Sequence, residues 1–247
     1  MFTLSRGLTP LRYLRLQRTR MILAAFLASA LLLAAFPEVD LNISRLFFDG
    51  RFYLAEESWT RLLHKSVGYF VILSMASVSA IFVLNRFSKR NLWGIDGKKL
   101  LYLFLVLALG AGLIVNVIFK DNFGRARPRN VEEFGGAQTF TPAFVIARSC
   151  ERNCSFSSGD GAAAFFSLAL TIALSRRRSI AAAAVGFGVA VSLARIASGA
   201  HFFSDTVVSF FVMLIVADAL RHYMRLPSPE VVSRRLRRKA ALLPAPP

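Results

Sequence analysis

The chain has 247 residues, 55% of them hydrophobic, and still carries 31 Lys and Arg against 14 Asp and Glu, a formal charge of +17. A water-soluble domain of this length does not usually combine those properties, whereas a polytopic membrane protein with basic loops does. The composition therefore sets aside a soluble enzyme and predicts an all-α, polytopic membrane bundle of about six transmembrane helices.

Residues 1–20 are Arg-rich and read as a cytoplasmic tail. Crossing a ~30 Å hydrocarbon layer takes about 20 apolar residues. Six runs come near that: 21–36, 66–84, 100–119, 159–175, 179–197 and 205–220. The first leads into Pro37-Glu38-Val39-Asp40 without a small-residue cleavage site, which predicts a retained signal-anchor helix. Residues 42–65 mix Leu46, Phe47, Phe52, Tyr53 and Trp59 with charges, and fit an amphipathic stretch on the headgroups or an aromatic-belted loop equally well. Before the fourth run, Cys150 and Cys154 fit a small disulfide staple on an oxidising side of the membrane, with two free thiols as the alternative. A thiol metal site there would lack a nearby His, so no metal is expected. The tail 226–247 contains Arg234-Arg235-Leu236-Arg237-Arg238-Lys239. Anionic lipid attracts such a cluster by about 1 kcal/mol per basic residue, so it reads as a surface anchor, with no nucleic-acid partner. No internal repeat divides the chain, and 21–225 is expected as one membrane domain between two basic tails.

Lys and Arg also orient the bundle. With the N-terminus inside, the inner segments 1–20, 85–99, 176–178 and 221–247 hold 20 of the 31 basic residues, and the outer segments hold 11. That bias predicts both termini in the cytoplasm. Three polar motifs then share the outer membrane–water interface, within Lys120–Pro128, Phe156–Asp160 and Arg195–Asp205.

Hydrolysing a phosphate ester calls for positive donors on its oxygens, an in-line nucleophile and an acid for the leaving oxygen. Lys120, Arg127 and Arg195 are candidate donors, although cations at helix ends are commonly interface anchors. Pro128 stiffens the backbone after Arg127. Ser158 and Gly159 open the fourth run, where a helix N-terminus offers amides to an anion and where a plain N-cap would look the same. Asp160 either complements that helix's dipole or takes part in chemistry. His201 and Asp205 are four apart, so the carboxylate can accept from one imidazole nitrogen and leave the other as nucleophile. The other histidines, His64 and His222, show no comparable partner in the sequence and are assigned no role.

Lys-x6-Arg-Pro, Ser-Gly and Arg-x5-His-x3-Asp, in that order, resemble the signature of the type 2 phosphatidic acid phosphatases, over roughly residues 66–220. These are membrane lipid phosphatases whose site is shared with vanadium haloperoxidases and bacterial acid phosphatases. The resemblance implies that His201 attacks phosphorus to give a phosphohistidine, with Asp205 orienting and stabilising it. It implies that Lys120, Arg127, Arg195, Ser158 and the Gly159 amide bind phosphate, and that no cofactor or metal is required. The family's Pro-Ser-Gly-His is here Ser157-Ser158-Gly159-Asp160, which puts a carboxyl group where the leaving-group acid is expected. Asp160 is expected to serve as that acid and then as the base for water. The rival expectation is a diphosphate leaving group that needs little help, and the third is divergence to an inactive homologue, against which the other motif positions count.

Among bacterial members, Phe123-Gly-Arg-Ala-Arg-Pro128, Glu133-Phe-Gly-Gly136 and Phe140-Thr-Pro142 look most like the lipid A phosphatases. Arg125, Arg129 and Arg148 would suit a multiply anionic headgroup. The implied partners are a lipid-linked phosphate substrate and membrane lipids, at a bacterial inner membrane with the site facing the periplasm. Phosphatidylglycerophosphate and undecaprenyl diphosphate are the alternative substrates. Binding or transport of anionic lipid without turnover is the non-enzymatic alternative, and charges gathered at one interface instead of mid-bilayer count against it.

Overall fold

The computed structural model describes residues 10–88, 91–175 and 177–226, with the side chains of 10–16 excepted. The first nine residues of the N-terminal tail, and the C-terminal tail beyond Leu226 with its basic cluster, lie outside the described residues. Among the described residues there is no strand. The principal helices are α1 (Pro10–Ala35), α2 (Glu38–Arg45), α3 (Ser58–Ser88), α4 (Gly97–Asn122), α5 (Gly159–Leu174), α6 (Arg178–Ala197) and α7 (Phe203–Tyr223).

Five of these, α1, α3, α4, α6 and α7, are long and apolar enough to cross a membrane. The sixth expected span, α5, is helical but has only 16 residues, about 24 Å at 1.5 Å per residue, short of the hydrocarbon thickness. Its surroundings explain the difference. Ala162, Phe165, Phe166 and Ala169 are buried and α5 packs on α3, α4, α6 and α7. Protein covers this helix, so its length need not match the bilayer. Residues 10–20, expected as part of a tail, instead form the first turns of α1.

The core is laid down by one face of α4 against α5 and α7. Asp96 caps α4 by accepting from the Lys99 amide at 2.8 Å. Tyr102, Leu103, Val106 and Val115 then pack with Phe166 and Met213, and the Tyr102 hydroxyl donates to the Ala217 carbonyl at 3.1 Å. At that same end Arg18 and Thr19 of α1 reach Asp218 of α7, at 3.4 and 2.6 Å. Alternating chain direction therefore gathers the start of α3, the end of α4, the start of α5, the end of α6 and the start of α7 at the opposite end.

Neither reading of residues 42–65 holds throughout. Helix α2 ends at Arg45, turns carry an antiparallel bridge between Phe48 and Phe52, and α3 begins at Ser58. Phe48, Phe52 and Phe134 meet edge-on with centroids 5.1–5.3 Å apart, a favourable aromatic geometry. With Phe202 they form a second, smaller core over the α6–α7 connection.

Candidate active site

The α6–α7 connection is where local chain geometry brings chemistry together. Helix α6 closes on Gly199, with φ +62°. The amides of Ala200 and His201 both donate to the Arg195 carbonyl, at 3.0 and 3.3 Å, the left-handed closure common at helix C-termini. A β-carbon on Gly199 would lie 2.4 Å from the Phe52 ring, so both conformation and space demand glycine. The reversal brings the backbone of His201 against that of Arg195, six residues earlier.

His201 is 1% exposed. Its Nδ1–H donates to the Ser155 carbonyl at 2.8 Å, and Asp205 Oδ2 stands at 3.6 Å. The expected imidazole–carboxylate bond is thus mainly an imidazole–carbonyl bond, with the carboxylate close behind it. Either acceptor fixes the same tautomer, which leaves Nε2 with its lone pair. Burial pushes the His201 imidazole below its ordinary range, Asp205 pulls it up, and Arg127 and Arg195 push it down further. The ratio kcat/KM, which reports the ionisations of the free protein, should therefore lose nothing to His201 protonation as pH falls through about 6.5, the ordinary histidine value, and should drop on that account only at lower pH. A kcat/KM–pH profile checks this. The linked stability has the same sign: it is complete above the ordinary value and is lost as pH falls through the lowered one, because the unfolded chain binds the proton first.

Asp205 is fully buried and saturated with donors: Arg125 Nη1 at 2.7 Å, Ser155 Oγ at 2.5 Å and the Phe202 amide at 2.8 Å. Arg125 is 0% exposed. It also donates to Asp40 at 2.8 Å, to Ser204 Oγ at 2.8 Å and to the Thr141 carbonyl at 2.8 Å. Its guanidinium lies 4.3 Å from the Phe202 ring centre. Asp40, from α2, accepts in turn from the Ser204 amide and hydroxyl, at 2.8 and 2.5 Å. Arg125 is therefore a buried brace and cannot reach a headgroup, contrary to expectation. Asp40 and Ser155 were not legible as site residues: Asp40 is 165 positions from Asp205, and Ser155 acts on the imidazole through its backbone.

The phosphate-binding candidates converge beside His201. Lys120 Nζ donates to Asn153 Oδ1 at 3.1 Å, and Arg127 Nη2 to the Asn153 carbonyl at 2.8 Å. Asn153 sits in a small loop closed by a disulfide between Cys150 and Cys154, the predicted staple. Ser158 caps α5, accepting from the Gly161 amide at 3.1 Å. A β-carbon on Gly159 would lie 3.0 Å from Lys120 Nζ, so the bare backbone lets that ammonium lie against the α5 N-terminus. Lys120, Arg127 and Arg195 are close enough to feel one another's charge. Burial, then Arg129 and Arg195, lower the Arg127 guanidinium from its ordinary value. Half-buried cations packed together favour an anion among them.

Asp160 is the carboxylate in that group. Its Oδ2 lies 2.9 Å from Arg195 Nε and 3.1 Å from His64 Nδ1. His64 thus has a partner that the sequence did not reveal. His222 Nδ1 is buried without a hydrogen-bond partner. A cavity of about 520 Å³ is lined by Arg51, Tyr53, Glu56, Glu57 and Arg129 and reaches Ser198, next to the His201 loop. Arg129 thus faces this cavity; Arg148 is exposed but does not line it.

The sequence profile of the PAP2 superfamily matches residues 99–227. A protein of Francisella tularensis subsp. novicida named lipid A 4'-phosphatase is 33% identical over 178 residues, 70% of this chain and 80% of that protein. Proteins of the same name from Rhizobium leguminosarum and Rhizobium etli are 39% and 37% identical over 116 residues, 46% of this chain and 50% and 45% of theirs. The chain thus spans about half the length of the two Rhizobium proteins. No solved structure matches it. With over half its length matched and the three motifs gathered at one end of a membrane bundle, the chain belongs to the PAP2 superfamily and is a lipid phosphatase, a phosphoric monoester hydrolase.

Proposed function

We propose that the chain removes the 4′-phosphate of lipid A at the periplasmic face of a bacterial inner membrane, through a phosphohistidine on His201. One observation carries the chemistry: a buried imidazole with its Nδ1 proton held by Ser155, beside three partly buried cations. Lys120, Arg127 and Arg195, with Ser158 and the Gly159 amide, hold the phosphate oxygens as charge moves onto them. His201 Nε2 attacks phosphorus, and Asp205, 3.6 Å from Nδ1, stabilises the positive charge that the ring acquires. Asp160 stands where the leaving oxygen in this step and the attacking water in the next need an acid–base group. Charge neutralisation comes from these side chains, and turnover is metal-independent.

The substrate assignment draws on the relatives' names and on the cavity beside the His201 loop, which has room for a large headgroup. The basic-residue bias of the loops supports both termini in the cytoplasm. The test is phosphate release by detergent-purified protein from lipid A, phosphatidylglycerophosphate and undecaprenyl diphosphate, with chelator present. Release from lipid A, with mass loss at the 4′ position, is expected. A preference for either other lipid overturns the substrate, and loss of activity that added divalent metal restores overturns metal independence.

A further inference from the structure

Asp160 occupies the place of the family's leaving-group imidazole, yet in this structure its carboxylate is paired with two basic side chains. Its Oδ2 faces Arg195 Nε at 2.9 Å and His64 Nδ1 at 3.1 Å. The imidazole beside this position therefore belongs to His64. That side chain comes from the second turn of α3, 96 residues before Asp160 and outside the 99–227 match to the family. It is half exposed, at the end of the bundle where the cations gather.

We infer that His64 of α3 is the general acid–base of this site, held by Asp160, so that the missing imidazole is supplied from another helix. The inference rests on the phosphatase reading above and assigns a different source to its proton. Nδ1–H donates to Asp160, which fixes the ring and leaves Nε2 to carry the working proton. In the first step the His201 Nε2 lone pair forms the P–N bond and the P–O bond to the leaving group breaks. The leaving oxygen takes the proton from His64 Nε2 and departs as the alcohol. In the second step water attacks phosphorus, its proton passes to His64 Nε2, and the P–N bond breaks to release phosphate and neutral His201. Protons and charge balance over the cycle, with no other reactant. Asp160 is then a positioning residue, coupled through the same oxygen to the phosphate-binding Arg195.

Leaving-group dependence separates this role from a structural one, because an aryl oxyanion departs without a proton and an alkyl oxyanion does not. The experiment compares a long-chain alkyl phosphate with its nitroaryl phosphate counterpart, on wild type, His64→Ala, Asp160→Asn, the double variant and His201→Ala. His64→Ala should lower kcat on the alkyl ester by about 10²–10⁴-fold, the range for one acid–base group, and on the nitroaryl ester by less than about tenfold. Added imidazole should restore part of the alkyl activity. Asp160→Asn should show the same selectivity, and the double variant should lose little more than His64→Ala alone, as expected of residues acting as a unit. Equal losses on both esters, or no loss on either, would overturn the inference. Release unaffected by His201→Ala would instead overturn the underlying phosphatase mechanism, so the two failures are distinct. Thermal unfolding and retained binding of inorganic phosphate show whether each variant is folded.

Discussion

His201→Ala should lower phosphate release by roughly 10⁴- to 10⁶-fold, the range seen when a nucleophilic or acid–base member of a catalytic unit is removed, while substrate is still bound. The two halves have separate causes. Nothing else at this place in the fold combines a fixed tautomer with burial: Nδ1–H is committed to Ser155 at 2.8 Å, and burial keeps the ring neutral as the surroundings acidify. Binding persists because it rests on Lys120, Arg127, Arg195 and the α5 N-terminus, none of which hydrogen-bonds to the His201 ring. Inorganic phosphate affinity should therefore change much less than turnover. The ring's truncation leaves only one acceptor, the Ser155 carbonyl, without its donor, a cost of about 1–3 kcal/mol. A variant that kept substantial activity would place the nucleophile elsewhere.

Arg125→Met should be the most destabilising single change at this end of the bundle. The methionine fills much of the volume but leaves Asp40 and Asp205, with side chains 2% and 0% exposed, as two buried carboxylates without a cation between them. Breaking a buried pair from one side costs about 3–5 kcal/mol, which for a chain of this size is a fall in unfolding temperature of roughly 6–20 °C. Arg125→Lys should recover only part of it. One ammonium cannot span Asp40, Asp205, Ser204 and the Thr141 carbonyl as the guanidinium fork does. Asp40→Asn in the Arg125→Met background should be far less harmful than the two single costs added, since it removes one of the stranded charges. Activity should fall with stability, because Asp205 is the carboxylate behind His201. Thermal unfolding in detergent, with phosphate release on the same samples, checks both effects. Simple additivity of Arg125→Met and Asp40→Asn would mean that the brace is not a coupled unit.

What the sequence made legible follows from how far apart the interacting parts lie. Apolar runs are local, so the spans could be read directly; α5 was readable as apolar but not as enclosed, because enclosure depends on four other helices. The spacing of Arg195, His201 and Asp205 was legible because one helix end, one tight turn and one helix start place them, although the glycine that makes the turn was not singled out. Asn153, Ser155 and Asp40 were not. Asn153 and Ser155 act wholly or partly through backbone carbonyls, which carry no residue-type signal, and Asp40 meets Arg125 across 85 residues. The sequence hides the partner of His64 for the same reason, since Asp160 comes from another helix. Charge alone points Arg125 to a headgroup, and only its burial between two carboxylates shows what it does.

The central claim, a phosphohistidine at His201, is tested most directly by mixing purified protein with lipid carrying a labelled phosphate and quenching in base within milliseconds. A phosphate on nitrogen survives base and is lost in acid. The account predicts a base-stable, acid-labile label that forms before phosphate release, maps to the peptide bearing His201, and is absent from His201→Ala. Phosphate release with no protein-bound label at any time during the first turnover, or label on a different residue, would contradict it.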